Sequence, residues 1–265
     1  MSGASKQRLD EALVDRGLAE NRSRAKALIM AGDVLVAGQP VLQAGANVRE
    51  SDAIALKAKP RFVSRGGEKL DHALNEFHIK VVGLTCADFG ASTGGFVDCL
   101  LQRGAKRVYA IDVGYGQLDD RLRNDQRVVN MERTNARYLD GLPEPIDVVT
   151  VDASFISLGL LFPAVIRVLA ANGICVPMVK PQFEAGRADI GKGGVVKSPA
   201  VHRRVLEGVV ERAAEHGLAL KGITKSPLKG PAGNIEFLGY FVRGAKGMEA
   251  GPVINLALKS TEMDS

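Results

Sequence analysis

This chain contains few of the residues that usually bind metals or form disulfides. Its 265 residues include three cysteines, four histidines and no tryptophan. Cys86, Cys99 and Cys175 lie far apart, form no Cys-x-x-Cys pair and have no histidine at ligand spacing. The sequence therefore supports neither a disulfide framework nor a zinc site, and we expect no metal. Three scattered thiols suit a reducing compartment such as the cytoplasm.

Long apolar runs are also missing. No window approaches ~18 uninterrupted apolar residues, and the N-terminus has no apolar core of the signal-peptide type. We therefore expect neither export nor membrane spanning, which again favours the cytoplasm. Hydrophobic residues make up 46% of the chain and charged residues 25%, as in ordinary globular proteins. The net charge of +5 suits a polyanionic partner, although charge alone does not identify one.

The most informative stretch runs from Thr85 to Phe96 and reads TCADFGASTGGF. An apolar run, an acid and a glycine-rich turn predict a strand that leads into a helix and leaves backbone N–H groups open to a ligand. The spacing of Gly90, Gly94 and Gly95 is not GxGxxG, and no Lys-Ser/Thr of a phosphate-binding loop follows. NAD and ATP are therefore disfavoured, although such a turn can also be purely structural.

The same stretch resembles the first motif of S-adenosylmethionine-dependent methyltransferases, which implies S-adenosylmethionine as the cofactor. The candidate cofactor-binding residues in it are Asp88, Gly90, Ala91, Ser92, Gly94, Gly95 and Phe96. Asp112, followed by Val113, ends the next predicted strand, where a carboxylate accepts hydrogen bonds from ribose hydroxyls or caps the next helix. Glu132 follows the third strand and either faces the adenine or pairs with Arg133 or Arg137 on the surface.

From residue 70 onward, apolar runs of β type alternate with helical stretches. This alternation predicts an α/β fold with a mostly parallel, Rossmann-like sheet covered on both faces, and ligands at the carboxyl ends of its strands. The predicted strands are Thr85 to Phe89, Val108 to Asp112, Val128 to Met131, Val148 to Val151, Ile174 to Val179, Leu220 to Lys225 and Glu236 to Val242. The predicted helices are Leu70 to Glu76, Gly95 to Arg103, Gly116 to Arg123, Leu158 to Ala171 and Pro199 to Gly217.

Residues 6 to 58 predict a small α+β module. Helical spacing indicates a helix from Gln7 to Arg16 and a second helix capped by Asn21, and short β segments follow. The pattern RLDEALVDRGLAENRSRAKALIMAGDVLVAGQPV closely resembles the RNA-binding fold named after ribosomal protein S-four. A solvated helix face is the alternative to RNA binding. The resemblance implies RNA contacts by three cations of the second helix: Arg22, Arg24 and Lys26.

A basic joint, KAKPRFVSRGGEK, connects this module to the rest of the chain. Its cations predict a contact surface for RNA, with Arg61 and Arg65 as candidate RNA-binding residues. The segment RFVSRGGEKL resembles the start of the catalytic domain in the TlyA family, RNA 2′-O-methyltransferases often labelled haemolysins, and in the related FtsJ methyltransferases. We divide the chain into an S-four-like RNA-binding domain, a linker and an FtsJ-like methyltransferase domain: residues 1–59, 60–68 and 69–265.

Further motifs carry the resemblance to the TlyA family: DFGASTGGF, AIDVGYGQL, DASFISL, VKPQFE and GNIEFLGYF. By that resemblance, four residues form a Lys-Asp-Lys-Glu catalytic tetrad: Lys69, Asp152, Lys180 and Glu236. Methyl transfer to a ribose hydroxyl needs a proton acceptor, and two lysines near one hydroxyl disfavour each other's charge. We assign Lys180 as the base and Lys69 and Glu236 as groups that orient the hydroxyl. Asp152 holds the lysines near the cofactor and is also a candidate cofactor-binding residue.

The family resemblance implies 2′-O-methylation of cytidine in ribosomal RNA or ribosomal subunits. No Asn/Asp-Pro-Pro-Tyr/Phe motif of base-nitrogen methyltransferases follows the fourth strand, so ribose oxygen is the better target. Phe155 at this edge either stacks on a base or lies in the core. Lys192, in a glycine-rich loop, either follows a phosphate backbone or is only solvated.

Two other functions compete with methyl transfer. A pore-forming haemolysin requires an exported chain with a membrane-active segment, and the sequence offers neither. A non-catalytic RNA-binding assembly factor would have no reason to retain four costly buried charges. The oligomeric state stays open between a monomer and a weak dimer.

Overall fold

The computed structural model describes residues 6–57 and 60–262. The chain divides into two compact units, Met1–Pro60 and Arg61–Ser265. The domain boundary predicted after residue 59 lies outside the described residues. Each unit is built around hydrophobic cores of its own.

The N-terminal unit is a small α+β fold. Its elements are β1 (Lys6–Arg8), α1 (Leu9–Asp15), α2 (Arg22–Met30), β2 (Val34–Val36), β3 (Gln39–Pro40), β4 (Asn47–Arg49) and β5 (Ile54–Leu56). Strand β1 pairs antiparallel with β4, and β2 pairs with both β3 and β5. Asn21 caps α2 as predicted, because its side-chain oxygen accepts a hydrogen bond of 2.9 Å from the backbone N–H of Arg24.

The second unit contains a seven-stranded sheet. Its elements are α3 (Gly66–Glu76), β6 (Thr85–Phe89), α4 (Gly95–Gln102), β7 (Arg107–Ile111), α5 (Asp120–Arg123), β8 (Val128–Met131), β9 (Ile146–Val151), α6 (Phe162–Val168), β10 (Leu169–Val179), α7 (Pro181–Glu184), α8 (Pro199–Glu215), β11 (Leu218–Lys225), β12 (Phe237–Arg243) and α9 (Ala250–Glu262). The strand order is β11-β12-β10-β9-β6-β7-β8.

Five neighbouring strands, from β10 to β8, run parallel, and β12 and β11 complete one edge in antiparallel pairing. Strand β6 pairs with β7 on one side and with β9 on the other. The strands β7 and β8 therefore lie on one side of β6, and β9 and β10 lie on the other side, so the order of the strands reverses between β6 and β9. Ligands of open α/β sheets bind at such a switch point, outside the carboxyl ends of the strands.

Apolar side chains cover both faces of this sheet. Alternate residues of a strand point to opposite faces, so Val149 and Val151 join the core beneath α6, α8 and α9, while Val148 joins the core beneath α3 and α4. This two-layer covering explains why the parallel strands are almost entirely apolar. Among the described residues, no helix is long and apolar enough to cross a membrane.

The seven predicted strands are all present, but several helices differ from prediction. Helix α3 begins at Gly66 instead of Leu70, α6 begins at Phe162 instead of Leu158, and the short helix α7 was not predicted. The helix predicted from Gly116 starts only at Asp120, because Gly116 has a left-handed φ of 69° and Asp119 provides the cap. The helix predicted to reach Ala171 ends at Val168, where Leu169 already pairs with β9. Helix α9 was not predicted, although Ile254, Ala257 and Leu258 are buried at helical spacing.

Candidate active site

A cavity of about 620 Å³ opens at the carboxyl ends of β6, β9 and β10, at the switch point of the sheet. This volume is in the range of small-molecule and cofactor sites. Side chains from six segments of the second unit meet in it. The residues that line it include Ser64, Arg65, Gly66, Lys69, Asp88, Gly90, Ala91, Ser92, Gly95, Phe96, Asp152, Ser154, Phe155, Lys180, Gln182, Phe183, Asn234 and Glu236.

The glycine-rich turn forms one wall of this cavity. Gly90 and Gly94 have φ values of 89° and 97°, in the left-handed region that favours glycine. A Cβ atom on Gly90 would lie 3.0 Å from the backbone of Ala153, and one on Gly94 would lie 2.3 Å from the side chain of Leu122. Gly90 and Gly95 line the cavity, whereas Gly94 does not and instead makes room for Leu122. The cavity side of the turn is therefore backbone and small side chains, as a cofactor cradle requires.

We expect Gly90→Ala to lower the free energy of unfolding by about 1–3 kcal/mol and to weaken binding of S-adenosylmethionine. The added methyl group meets a backbone that cannot move cheaply, at a φ that alanine rarely adopts. Thermal unfolding and calorimetric titration of the cofactor measure the two effects. Gly141→Ala is the matched control, since a Cβ there meets nothing within 4 Å. Unchanged stability and affinity in Gly90→Ala would contradict this account of the turn.

Asp88 ends β6 at the base of the cavity and is fully buried. Its Oδ1 accepts a hydrogen bond of 2.7 Å from the hydroxyl of Thr150, while Oδ2 has no partner among the described residues. Burial raises the pKa of Asp88 to about 8, and the nearby Lys180 opposes this rise. A buried carboxylate oxygen without a partner at a cavity wall suits a ligand that carries positive charge or a hydrogen-bond donor.

The raised pKa of Asp88 predicts a pH dependence of stability. Between about pH 4 and about pH 8 the folded state keeps a proton on Asp88 that the unfolded state releases, so stability should fall as pH rises, by up to about 1.4 kcal/mol per pH unit. Asp88→Asn should remove this contribution. Urea unfolding across the range tests it, with exposed Asp140→Asn as the control. A slope that Asp88→Asn leaves unchanged would rule out this assignment.

Asp112 and Glu132 lie together in a small recess that adjoins the cavity through Ala91 and Ser92. Asp112 accepts hydrogen bonds from the backbone N–H groups of Ser92 at 2.8 Å and Gly114 at 2.7 Å. Its carboxylate therefore shapes the glycine turn and keeps lone pairs available for a ligand. Val113 is 67% exposed and lines neither space.

Glu132 is held by other groups than those considered from the sequence. It pairs with Arg123 at 2.8 Å, and its Oε1 also accepts a hydrogen bond of 2.9 Å from the backbone N–H of Gly116. The sequence suggested Arg133 or Arg137 as its ion-pair partner, but the partner in the structure is Arg123. Its contact with the adenine stays a prediction, because the recess is narrow and already contains these bonds.

The four residues of the proposed tetrad meet on the cavity wall as two ion pairs. Lys69 of α3 lies 2.6 Å from Glu236, which directly precedes β12. Lys180, after β10, lies 2.8 Å from Asp152, after β9. The sequence led us to expect both lysines near one substrate hydroxyl, and in the structure each ammonium also has its own carboxylate partner.

Burial differs between the two pairs. The side chains of Lys69 and Glu236 are 10% and 1% exposed, so this pair is almost fully desolvated. The side chains of Lys180 and Asp152 are 11% and 25% exposed. Burial raises the pKa of Asp152, although Lys180 and Lys69 favour its charged form. Lys180 Nζ also donates to the Ser154 hydroxyl at 2.9 Å. These contacts fix the amine of Lys180 beside the glycine turn.

Three residues at the site were not singled out from the sequence. Gln182 lines the cavity with its amide 3.5 Å from Glu236. Asn234 accepts from the N–H of Val196 and donates to the carbonyl of Gly194, which holds the glycine-rich loop at the rim. Gln182 and Asn234 are polar residues within the VKPQFE and GNIEFLGYF motifs. Their position in these motifs could have identified them as site residues.

The third residue, Glu184, also belongs to VKPQFE. Its buried carboxylate accepts hydrogen bonds from the Ser157 hydroxyl and the Leu158 N–H, both at 2.7 Å, and pairs with Arg212 at 2.9 Å. It therefore ties the loop that follows Asp152 to the segment that follows Lys180. This connection fixes the two strand ends that carry the second ion pair.

The residues predicted to bind RNA lie in different environments. Arg65 lines the cavity, whereas Arg61 is held by Asp71 at 2.7 Å. Lys192 belongs to a 3-10 turn whose next two glycines line the cavity, although Lys192 itself does not. In the N-terminal unit, the cations of α2 are exposed, and the first of them pairs with Asp10 at 3.1 Å: Arg22, Arg24 and Lys26.

Comparison with known proteins agrees with this geometry. A family model described as FtsJ-like methyltransferase matches residues 62–243, and a model of the S4 domain matches residues 7–54. The chain belongs to the FtsJ-like methyltransferase family. The predicted fold class, a Rossmann-like methyltransferase sheet with an N-terminal S4 domain, is thereby confirmed.

This FtsJ-like methyltransferase resembles proteins of the TlyA group over most of its length. It is 46% identical to the 16S/23S rRNA (cytidine-2′-O)-methyltransferase TlyA of Mycobacterium tuberculosis, over 88% of this chain and 89% of the relative. It is 41% identical to Hemolysin A of Brachyspira hyodysenteriae, over 89% of this chain and 99% of the relative. A solved structure from Streptococcus thermophilus, also named as a hemolysin, matches with a TM-score of 0.74 and 40% identity over 99% of both chains.

Proposed function

We propose that this protein transfers a methyl group from S-adenosylmethionine to the 2′-hydroxyl of a cytidine in ribosomal RNA, in the cytoplasm. The observation that carries the proposal is the meeting of two lysine–carboxylate pairs with a glycine-rich cradle in one cavity. The name of the Mycobacterium tuberculosis relative supports the same reaction and the same class of substrate.

The cradle and its surroundings fit S-adenosylmethionine. Gly90, in the turn that lines the cavity, leaves no room for a side chain, and the unpartnered oxygen of Asp88 is available for a hydrogen bond with such a ligand. Asp112, in the adjoining recess, has lone pairs left for the ribose hydroxyls. When bound, S-adenosylmethionine supplies a methyl group attached to a positively charged sulfur. An oxygen nucleophile takes the methyl carbon, and the neutral sulfur is the leaving group.

The remaining chemistry belongs to the two ion pairs. A ribose hydroxyl is a poor nucleophile while protonated, so it must be aimed at the methyl carbon and lose its proton. Lys180, in its neutral form, accepts that proton at Nζ, and Asp152 and Ser154 hold this amine in place. Lys69, oriented by Glu236, donates a hydrogen bond to the same hydroxyl and fixes its direction.

The second part of the proposal is that the S4-type module binds RNA. A model of this domain matches residues 7–54, and α2 exposes three cations on one short helix. We assign RNA binding to this helix and to Arg65 at the cavity. Phosphates and shape, rather than base edges, are what such side chains contact.

Incubation with methyl-labelled S-adenosylmethionine and purified small or large ribosomal subunits tests this function. We expect label in rRNA, and nuclease digestion with mass spectrometry should locate it on the ribose of a cytidine. Label on a base atom, or none in either subunit, would overturn the proposal. Erythrocyte lysis is measured in parallel, because two similar proteins are named as hemolysins. Lysis without methyl transfer would favour the pore-forming alternative.

A further inference from the structure

A second open groove, of about 640 Å³, lies beside the active-site cavity. Phe155 and Phe183 line both spaces, and their ring centroids are 4.9 Å apart, so this aromatic pair forms the wall between them. Ile156 and Leu160 form an apolar floor, and Arg137 and Arg187 also line the groove. We call it the Arg137–Arg187 groove. Apart from the base-stacking alternative considered for Phe155, no residue role assigned above uses it.

The arginines of this groove differ from most others in the second unit. That unit contains fifteen arginines, and nine of them form ion pairs with carboxylates. Arg137 and Arg187 are exposed, and neither guanidinium has a carboxylate partner among the described residues. The acids nearest to Arg187 in sequence are already occupied, since Asp189 pairs with Arg204 and Glu184 with Arg212. The groove therefore presents positive charge that the protein itself does not neutralise.

The same groove exposes apolar and aromatic surface. Phe155 is 90% exposed and has a left-handed φ of 62°, which is unfavourable for an aromatic residue and needs support from its surroundings. Leu160 is 44% exposed. Outside the lining residues, Tyr138 is 67% exposed, and its ring centroid lies 5.4 Å from the guanidinium carbon of Arg137. Planar and apolar faces combined with unpaired cations are the composition of a site for single-stranded nucleic acid.

We propose that the Arg137–Arg187 groove binds the nucleotide that directly adjoins the methylated one in the RNA strand. This inference rests on the proposed function, because it takes the neighbouring cavity to hold the target ribose. The shared wall of Phe155 and Phe183 separates the two nucleotides, and the arginines bind the phosphates on either side of the second base. A protein surface is a poorer occupant, because the groove offers two unpaired cations and no acid.

The first test measures affinity for the ribosomal subunit that the wild-type enzyme methylates. The double variant Arg137→Ala/Arg187→Ala should weaken binding by about tenfold, and its salt dependence should be shallower by about 1.4 in the log–log slope, or about 0.7 for each lost phosphate contact. Cofactor affinity and kcat at saturating RNA should stay at the wild-type value. The double variant Arg137→Lys/Arg187→Lys should recover most of the affinity.

The control is Arg121→Ala/Arg203→Ala, which removes the same number of charges from arginines that already have carboxylate partners. Equal weakening in both double variants would show a general effect of net charge and would overturn the proposal. A wrong assignment of the groove can be distinguished from a wrong proposed function. If the wild type methylates rRNA but the groove variant binds it normally, only the groove assignment is wrong.

The second test identifies the occupant directly. A benzoylphenylalanine photocrosslinker in place of Leu160 stands on the floor of the groove and outside the catalytic residues. We expect a crosslink to rRNA at the nucleotide next to the methylated one, lost when the groove arginines are replaced. A crosslink to a ribosomal protein, or to a distant nucleotide, would overturn the proposal.

Discussion

Replacement of Lys180 by methionine should lower kcat for methyl transfer by about 10²–10⁴-fold, the range of general base catalysis. Methionine keeps the apolar stem and removes the amine that lies 2.8 Å from Asp152 and 2.9 Å from Ser154. Binding of S-adenosylmethionine should change little, because the glycine cradle belongs to a different strand end. Single-turnover methyl transfer and cofactor titration measure the two quantities separately.

A second substitution distinguishes a role of Lys180 as a base from a role of its positive charge alone. Lys180→Arg keeps a cation but cannot deprotonate, so a base at this position predicts that arginine is as inactive as methionine. If Lys180 acted only through its charge, arginine would retain much of the rate. Lys106→Met is the matched control, because this lysine is exposed and lies away from the cavity. A wild-type rate in Lys180→Arg would rule out the base assignment.

The sheet could be predicted from the sequence because its strands are short, apolar and separated by glycine turns. Strands β6 and β8 have the predicted limits, and β10 begins five residues earlier than expected. The early start of β10 depends on Leu169 pairing with Ile146, a contact between distant parts of the chain that local periodicity does not contain. Helix α9 was missed although its apolar spacing is regular, because the family motifs end before it.

At the candidate site, residue identity could be predicted from the sequence and residue contacts could not. The motifs name the four charged residues, but they do not show which lysine pairs with which carboxylate. Lys69 and Glu236 lie 167 positions apart and meet only because α3 and the residue before β12 reach the same cavity. Likewise, Glu184 looks like a surface charge in sequence, yet its carboxylate is buried and bonded to three groups. Burial and partner choice are tertiary properties, and they decide the electrostatics of this site.

The Lys69–Glu236 pair predicts the second large effect, on stability. Lys69→Met removes the cation from a carboxylate whose side chain is 1% exposed and packs against Gly230. An unpaired buried charge is strongly unfavourable, so we expect a loss of about 3–5 kcal/mol in the free energy of unfolding at neutral pH. Urea unfolding measures it, and the melting temperature should fall by roughly 2–4 °C for each kcal/mol. Methyl transfer should also decline.

The double variant Lys69→Met/Glu236→Gln decides whether charge is the cause. Glutamine keeps the shape of Glu236 and needs no cation, so the double variant should recover most of the lost stability while remaining inactive. Such non-additivity is the signature of two groups in direct contact. If the two substitutions instead added their costs, the contact between Lys69 and Glu236 would not be what stabilises this wall of the cavity. The proposed orientation of Lys69 by Glu236 would then lose its support.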